Sequence, residues 1–98
     1  VTPAPLTLSL PATHPVFAGH FPAHPVLPGA LLLDLLVHAL ADAAAGDWQV
    51  LSAKFLQPVG PGERLQASFS AGAHGLGFEL RSAGRVVASG RLARGATA

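Results

Sequence analysis

Gly19-His20-Phe21-Pro22-Ala23-His24-Pro25-Val26-Leu27-Pro28-Gly29, running straight into Ala30-Leu31-Leu32-Leu33-Asp34-Leu35-Leu36-Val37-His38, decides how the rest of the chain is read. Prolines at 22, 25 and 28 remove backbone donors and push the residues before them toward extended geometry, so the first half is an ordered, semi-rigid loop. Pro28 suits a first helical turn, and no proline follows until well past Gly46, which predicts a helix from about Pro28 to Ala45. Its apolar residues, Leu31, Leu32, Leu33, Leu35, Leu36, Val37 and Leu40, leave only a narrow polar stripe of Asp34, His38 and Asp42. A helix this apolar is expected to be buried. The stiff loop thus carries His20 into a helix that carries Asp34, and these two are the candidate catalytic pair.

Outward from this stretch the chain reads as strand. Leu6, Leu8 and Leu10 alternate with Thr7 and Ser9, and Pro11 ends that run. The following residues 11–29 hold five prolines and two glycines, and an irregular stretch of that length in a small domain is usually functional. Beyond the helix, with Gly46 as its C-terminal cap, a strand is expected from Trp48 to Val59. Pro58-Val59-Gly60-Pro61-Gly62 supplies dense turn signals at its far end. Leu65, Ala67 and Phe69 then alternate with Gln66, Ser68 and Ser70, and Leu76, Phe78 and Leu80 with Glu79 and Arg81. Ser82-Ala83-Gly84-Arg85 reads as a hairpin turn into a last strand, Val86 to Ala93. One helix with strands gathered after it indicates an α+β fold, a single long buried helix wrapped by a curved antiparallel sheet of about five strands. A single domain over residues 1–98 is expected, with 1–5 and 95–98 frayed.

Composition bounds the rest. Half of the 98 residues are hydrophobic, only 11% are charged and mean hydropathy is +0.46. This is more apolar surface than one small monomer hides, and open sheet edges add to it, so at least a homodimer is expected, with a higher oligomer open. Asp34 and His38 interrupt the one candidate membrane span, and Val1-Thr2-Pro3-Ala4-Pro5 does not read as a secretory signal, so the expected location is cytoplasmic. With no cysteine, disulfides, thiol nucleophiles and thiolate metal sites are excluded. A net charge of +1, one Trp and no Tyr argue against nucleic acid as a partner. His14, His20, His24 and His38 match no standard zinc spacing, and no metal or other cofactor is expected.

His20-Phe21-Pro22, then Pro25-Val26-Leu27-Pro28-Gly29, then the acid Asp34, resembles the active-site segment of the beta-hydroxyacyl-acyl-carrier-protein dehydratases of the hotdog fold. Ala53-Lys54-Phe55-Leu56-Gln57-Pro58-Val59-Gly60-Pro61-Gly62-Glu63-Arg64-Leu65 is similar to the segment that follows the helix in that family, and Val87-Ala88-Ser89-Gly90-Arg91-Leu92 to its last strand. The resemblance covers roughly residues 13–93 and implies a short-chain member of the family. It implies a hotdog dimer with active sites at the subunit interface, His20 as catalytic histidine and Asp34 of the partner as catalytic acid. It also implies that the Gly29 N–H contacts the thioester carbonyl and that the Val26 carbonyl orients the histidine. The implied substrate is a 3-hydroxyacyl thioester on acyl carrier protein or CoA, dehydrated to the trans-2-enoyl thioester in fatty-acid or polyketide-like lipid synthesis. Three features depart from the family pattern: His38 stands where Gln is usual and is a possible modulator of Asp34, Ala23 stands where glycine is common, and Asp replaces Glu as in the branch that also isomerises its product. The short chain, without a visible N-terminal helix, points to a specialised pathway.

The residue types suit this chemistry. Dehydration needs a base beside the carbonyl, an acid for the leaving hydroxyl and a donor for the charge that grows on the carbonyl oxygen. A histidine with an ordinary pKa of about 6.5 is mostly neutral near pH 7 and can act as base. Flanking leucines are expected to desolvate Asp34 and keep it partly protonated. Gly29 opens the helix, where free N–H groups and the helix dipole favour an oxyanion, and glycine allows close approach of the thioester. Taken without the family, Asp34 reads first as part of a solvent-facing stripe and His20 as a hydrogen-bonded loop histidine, and it is the surrounding motif that reverses this. The rival functions are a hotdog acyl thioesterase and a catalytically silent acyl-binding partner subunit.

Overall fold

The computed structural model describes residues 3–9, 29–44, 46–60, 62–73 and 75–94. In chain order the elements are β1 (Leu6–Ser9), α1 (Gly29–Ala44), β2 (Trp48–Phe55), β3 (Arg64–Gly72), β4 (Gly75–Ser82) and β5 (Arg85–Arg94). The strands form one open sheet in the order β1-β3-β4-β5-β2, and every neighbouring pair is antiparallel.

Alternation places the core. Leu65 and Ala67 of β3, Leu76, Phe78 and Leu80 of β4, and Ala88 and Leu92 of β5 are all buried on one sheet face, with Leu8 of β1 beside them. The helix lies on that face. Leu32, Leu36 and Leu40, one turn apart, are at most 2% exposed, while Leu31, Leu33, Leu35 and Val37 flank them and are partly buried. Coverage by its own sheet is therefore complete only along one line of α1, and Ala30, Asp34, His38 and Asp42 form the exposed stripe opposite. The helix ends at Ala44, and Gly46 follows with a φ of 110°, a left-handed conformation that lets the chain turn away toward β2. Just beyond, the Arg94 guanidinium lies 4.7 Å from the centre of the Trp48 ring, joining the end of β5 to the start of β2.

The hairpins β3-β4 and β4-β5 follow the expected short turns. At the second, Ala83 and Gly84 have φ of 51° and 81°, the paired positive values of a two-residue turn whose twist suits the flanking strands. The connection from β2 to β3 differs from expectation. β2 ends at Phe55 and not at Val59, and it is not β3's neighbour but lies at the opposite edge of the sheet, beside β5. Residues 56–60 and 62–63 accordingly belong to a crossover. Its first part follows β5, with the N–H groups of Leu56 and Gln57 both donating to the Val87 carbonyl at 2.9 and 3.3 Å. Val59 then anchors it in the core at 3% exposure.

A register shift in β2 between Val50 and Ser52 bends the edge strand. It leaves Leu51, the extra residue, 53% exposed, and Phe55 and Leu56 near the strand's end are 49% and 46% exposed. Among the described residues, the large exposed apolar side chains thus gather at one sheet edge. No described helix is long and apolar enough to cross a membrane.

Candidate active site

Gly29 is the first residue of α1, so its N–H has no partner within the helix. It borders a cavity of about 480 Å³ lined by Leu32, Phe55, Leu56, Gln57, Pro58 and Val59. The lining comes from the first turn of the helix on one side and the beginning of the crossover on the other. Among the described residues, its lining is apolar apart from the backbone and the Gln57 amide. A chamber of this kind accepts a hydrocarbon chain with one polar end at the helix N-terminus.

Asp34 lies elsewhere on the helix. It is five positions on from Gly29, which at 3.6 residues per turn is a rotation of about 140°. Its side chain is 63% exposed, on the stripe that the sheet leaves open. The expectation that neighbouring leucines desolvate it is not met within the chain, because those leucines turn toward the sheet while Asp34 turns away. His38, one turn on, places Nδ1 2.8 Å from the Asp34 carbonyl oxygen and 3.5 Å from its Oδ1. The imidazole is thereby tethered next to the carboxylate. His20 and Val26 lie outside the described residues.

A second polar cluster holds the crossover. Glu63 accepts hydrogen bonds from the Gly60 N–H, from Ser82 Oγ at 2.6 Å and from Arg85 Nη2 at 3.4 Å. The Gly60 bond first, then the Ser82 hydroxyl, and then the Arg85 charge hold the Glu63 carboxyl below its ordinary range against the opposing effect of burial. This carboxylate ties the far end of the crossover to the β4-β5 hairpin, and so fixes the segment whose near end walls the cavity.

One contact has no antecedent in the sequence patterns. A Cβ added to Gly29 would lie 2.7, 3.0 and 3.1 Å from Cζ, Cε2 and Cε1 of Phe55, so the ring edge rests directly on the glycine. Phe55 sits within a quoted motif, yet nothing in alternation or spacing singles it out.

A family model described as ApeI-like, ApeI dehydratase, matches residues 2–91. The chain belongs to this dehydratase family. The 3-hydroxyacyl-[acyl-carrier-protein] dehydratase FabZ of Gluconobacter oxydans is 41% identical over 64 residues, covering 53% of this chain and 38% of that protein. The chain spans less than half the length of the curated relatives it matches. Among solved structures, the dehydratase heterocomplex ApeI:P from Xenorhabdus doucetiae superposes with a TM-score of 0.73 at 29% identity, over 95% of this chain and 88% of that one. The dehydratase domain of the polyketide PpsC from Mycobacterium tuberculosis also gives 0.73, at 22% identity over 96% of this chain and 40% of that one, which supports the fold. The fold is the hotdog, as the resemblance implied.

Proposed function

We propose that the chain dehydrates 3-hydroxyacyl thioesters, carried on acyl carrier protein, to trans-2-enoyl thioesters, and that it does so as a dimer. The observation that carries this function is the position of Gly29: the N-terminus of α1 opens onto a cavity of acyl-chain dimensions whose described lining is mostly apolar. The thioester carbonyl sits against the Gly29 N–H, where the helix dipole stabilises the charge that grows on oxygen as the C2 proton leaves. His20, oriented by the Val26 carbonyl, removes that proton. Asp34 delivers a proton to the departing C3 hydroxyl, and His38 holds the Asp34 side of the helix in register with it.

The 140° between Gly29 and Asp34 supports a shared site. An acid on the exposed stripe serves the cavity of a second subunit better than its own, and the open β2 edge with Leu51, Phe55 and Leu56 offers the apolar surface for that subunit. The heterocomplex named for the Xenorhabdus relative favours a second reading of the assembly, in which the other subunit is a different hotdog chain.

Incubation with a crotonyl thioester, following hydration and hydrolysis separately, tests the function. Reversible hydration is the expected result. Free acid without hydration would identify a thioesterase, and no turnover a silent subunit that needs an active partner. His20→Ala and Asp34→Asn are each expected to lower dehydration at least about a hundredfold while leaving assembly intact, the usual scale for loss of a general acid or base.

A further inference from the structure

We propose that Glu63 is a positioning residue for the dehydratase reaction: by bridging the crossover to the β4-β5 hairpin it holds the acyl cavity open, and so sets how much of an acyl chain the site takes. The proposal rests on the dehydratase function above and names the group that maintains its substrate pocket.

Five consecutive residues, Phe55 to Val59, form one wall of the cavity, and Gly29 and Leu32 of α1 form the other. Among the described residues, every polar anchor of the first wall leads to the hairpin and none to the helix. Leu56 and Gln57 donate to the carbonyl of Val87, the residue of β5 left over where the register with β4 shifts. Pro58 has no N–H to donate. The next anchored group is the Gly60 N–H, which donates to Glu63 Oε2. Glu63 Oε1 in turn accepts from Ser82 Oγ at 2.6 Å and from Arg85 Nη2 at 3.4 Å. The carboxylate thus gives one oxygen to the crossover and the other to the hairpin.

Ser82 shows that the bridge is built in. It continues the core-facing series Leu76, Phe78 and Leu80 of β4 and is only 4% exposed, so alternation calls for an apolar side chain at that place. A buried hydroxyl there is costly unless paired, and Glu63 is its partner. The bridge opposes a closing force. Apolar walls on either side of a gap forgo dispersion contacts that they regain by moving together. With the Gly60 end released, the stretch from Pro58 to Gly60 settles toward Leu32 and the cavity loses depth. The sheet keeps its form, because Glu63 pairs in none of its ladders.

The test uses amide analogues of butyryl- and octanoyl-pantetheine, which can be neither hydrated nor hydrolysed, with binding measured by calorimetry on the wild type, Glu63→Gln, Ser82→Ala and the double variant. Gln has a single acceptor oxygen and serves the crossover or the hairpin, not both, while Ser82→Ala leaves only the longer Arg85 contact on the hairpin side. Wild type is expected to favour octanoyl. Each single variant is expected to lose about tenfold of that preference, the order of what burying two methylenes contributes, with butyryl affinity within about twofold of wild type. The double variant is expected to be no worse than the weaker single, because both changes open the same bridge. An unchanged preference in the single variants overturns the proposal, and so does an equal loss for both ligands, which marks a merely structural role. Losses that sum in the double variant overturn the bridge. Wild type that binds neither ligand overturns the acyl-thioester function itself, a result distinct from the others. Melting temperatures recorded for each variant separate these outcomes from loss of fold.

Discussion

Glu63 holds three donors with one carboxylate, and its protonation therefore changes the crossover before it changes the sheet. Its folded-state pKa lies below that of the unfolded chain, so the stabilisation is complete above the ordinary carboxylate range and is lost as pH falls through the lowered value. Glu63→Gln keeps the size but cannot accept all three bonds, and a loss of about 1–2 kcal/mol at neutral pH is expected. The gap between wild type and variant in urea titrations should close as the pH is taken below about 4. A gap that stays constant with pH would assign the loss to packing alone. At this scale the sequence was legible only in part. Asp34 and His38 were visible as one helical stripe, and the structure shows that stripe. That the stripe faces away from the flanking leucines, and so escapes their desolvation, follows from helix geometry, not from nearness in sequence. Phe55 was invisible because an aromatic residue at the end of a strand violates no pattern.

Among the elements, β5 is the strand on which the sheet depends, pairing with β4 on one side and β2 on the other. Gly90 lies where the three cross. A Cβ there would meet the Ser52 carbonyl oxygen, Phe78 Cε2 at 2.7 Å and Ala53 Cα at 2.9 Å, and two of these are backbone atoms that cannot turn away. Gly90→Ala is expected to destabilise by about 1–3 kcal/mol or more, with β2 pushed off β5. Gly77 makes a useful control. The nearest atom to a Cβ there is Ser70 Oγ at 2.8 Å, a hydroxyl that can rotate, so Gly77→Ala should be well tolerated in the same melting experiment. Strand identity was readable because β3, β4 and β5 each bury one face and alternate accordingly. Strand order was not. Pro58, Gly60, Pro61 and Gly62 break a strand equally well whether the next one returns beside it or crosses to the far side of the sheet.

For the whole molecule, the proposed reading, with Gly29 and Asp34 about 140° apart around α1, predicts that activity is a property of the pair of chains. His20→Ala and Asp34→Asn subunits, each inactive alone, should complement when mixed and re-equilibrated. Half of the resulting dimers hold both kinds of subunit, and each of these has one intact site, so recovery of about a quarter of wild-type activity is expected. Absence of recovery, with mixed dimers demonstrated by mass, would place His20 and Asp34 in one chain. Among the described residues, the large exposed apolar side chains lie at the β2 edge, which composition alone did not single out.

The stacked pair at the start of that edge has a practical consequence. Trp48 is the only tryptophan and the chain has no tyrosine, so the ultraviolet emission of the protein comes from one indole, lying beneath the Arg94 guanidinium. Its Nε1 is buried without a hydrogen-bond partner among the described residues, which makes the emission sensitive to any rearrangement that brings water to the ring. Because the indole packs against the core at the start of β2, a urea titration followed by its emission maximum reads the loss of β2 from the sheet, without a dye. The protein carries its own optical probe on the strand where two chains are expected to meet.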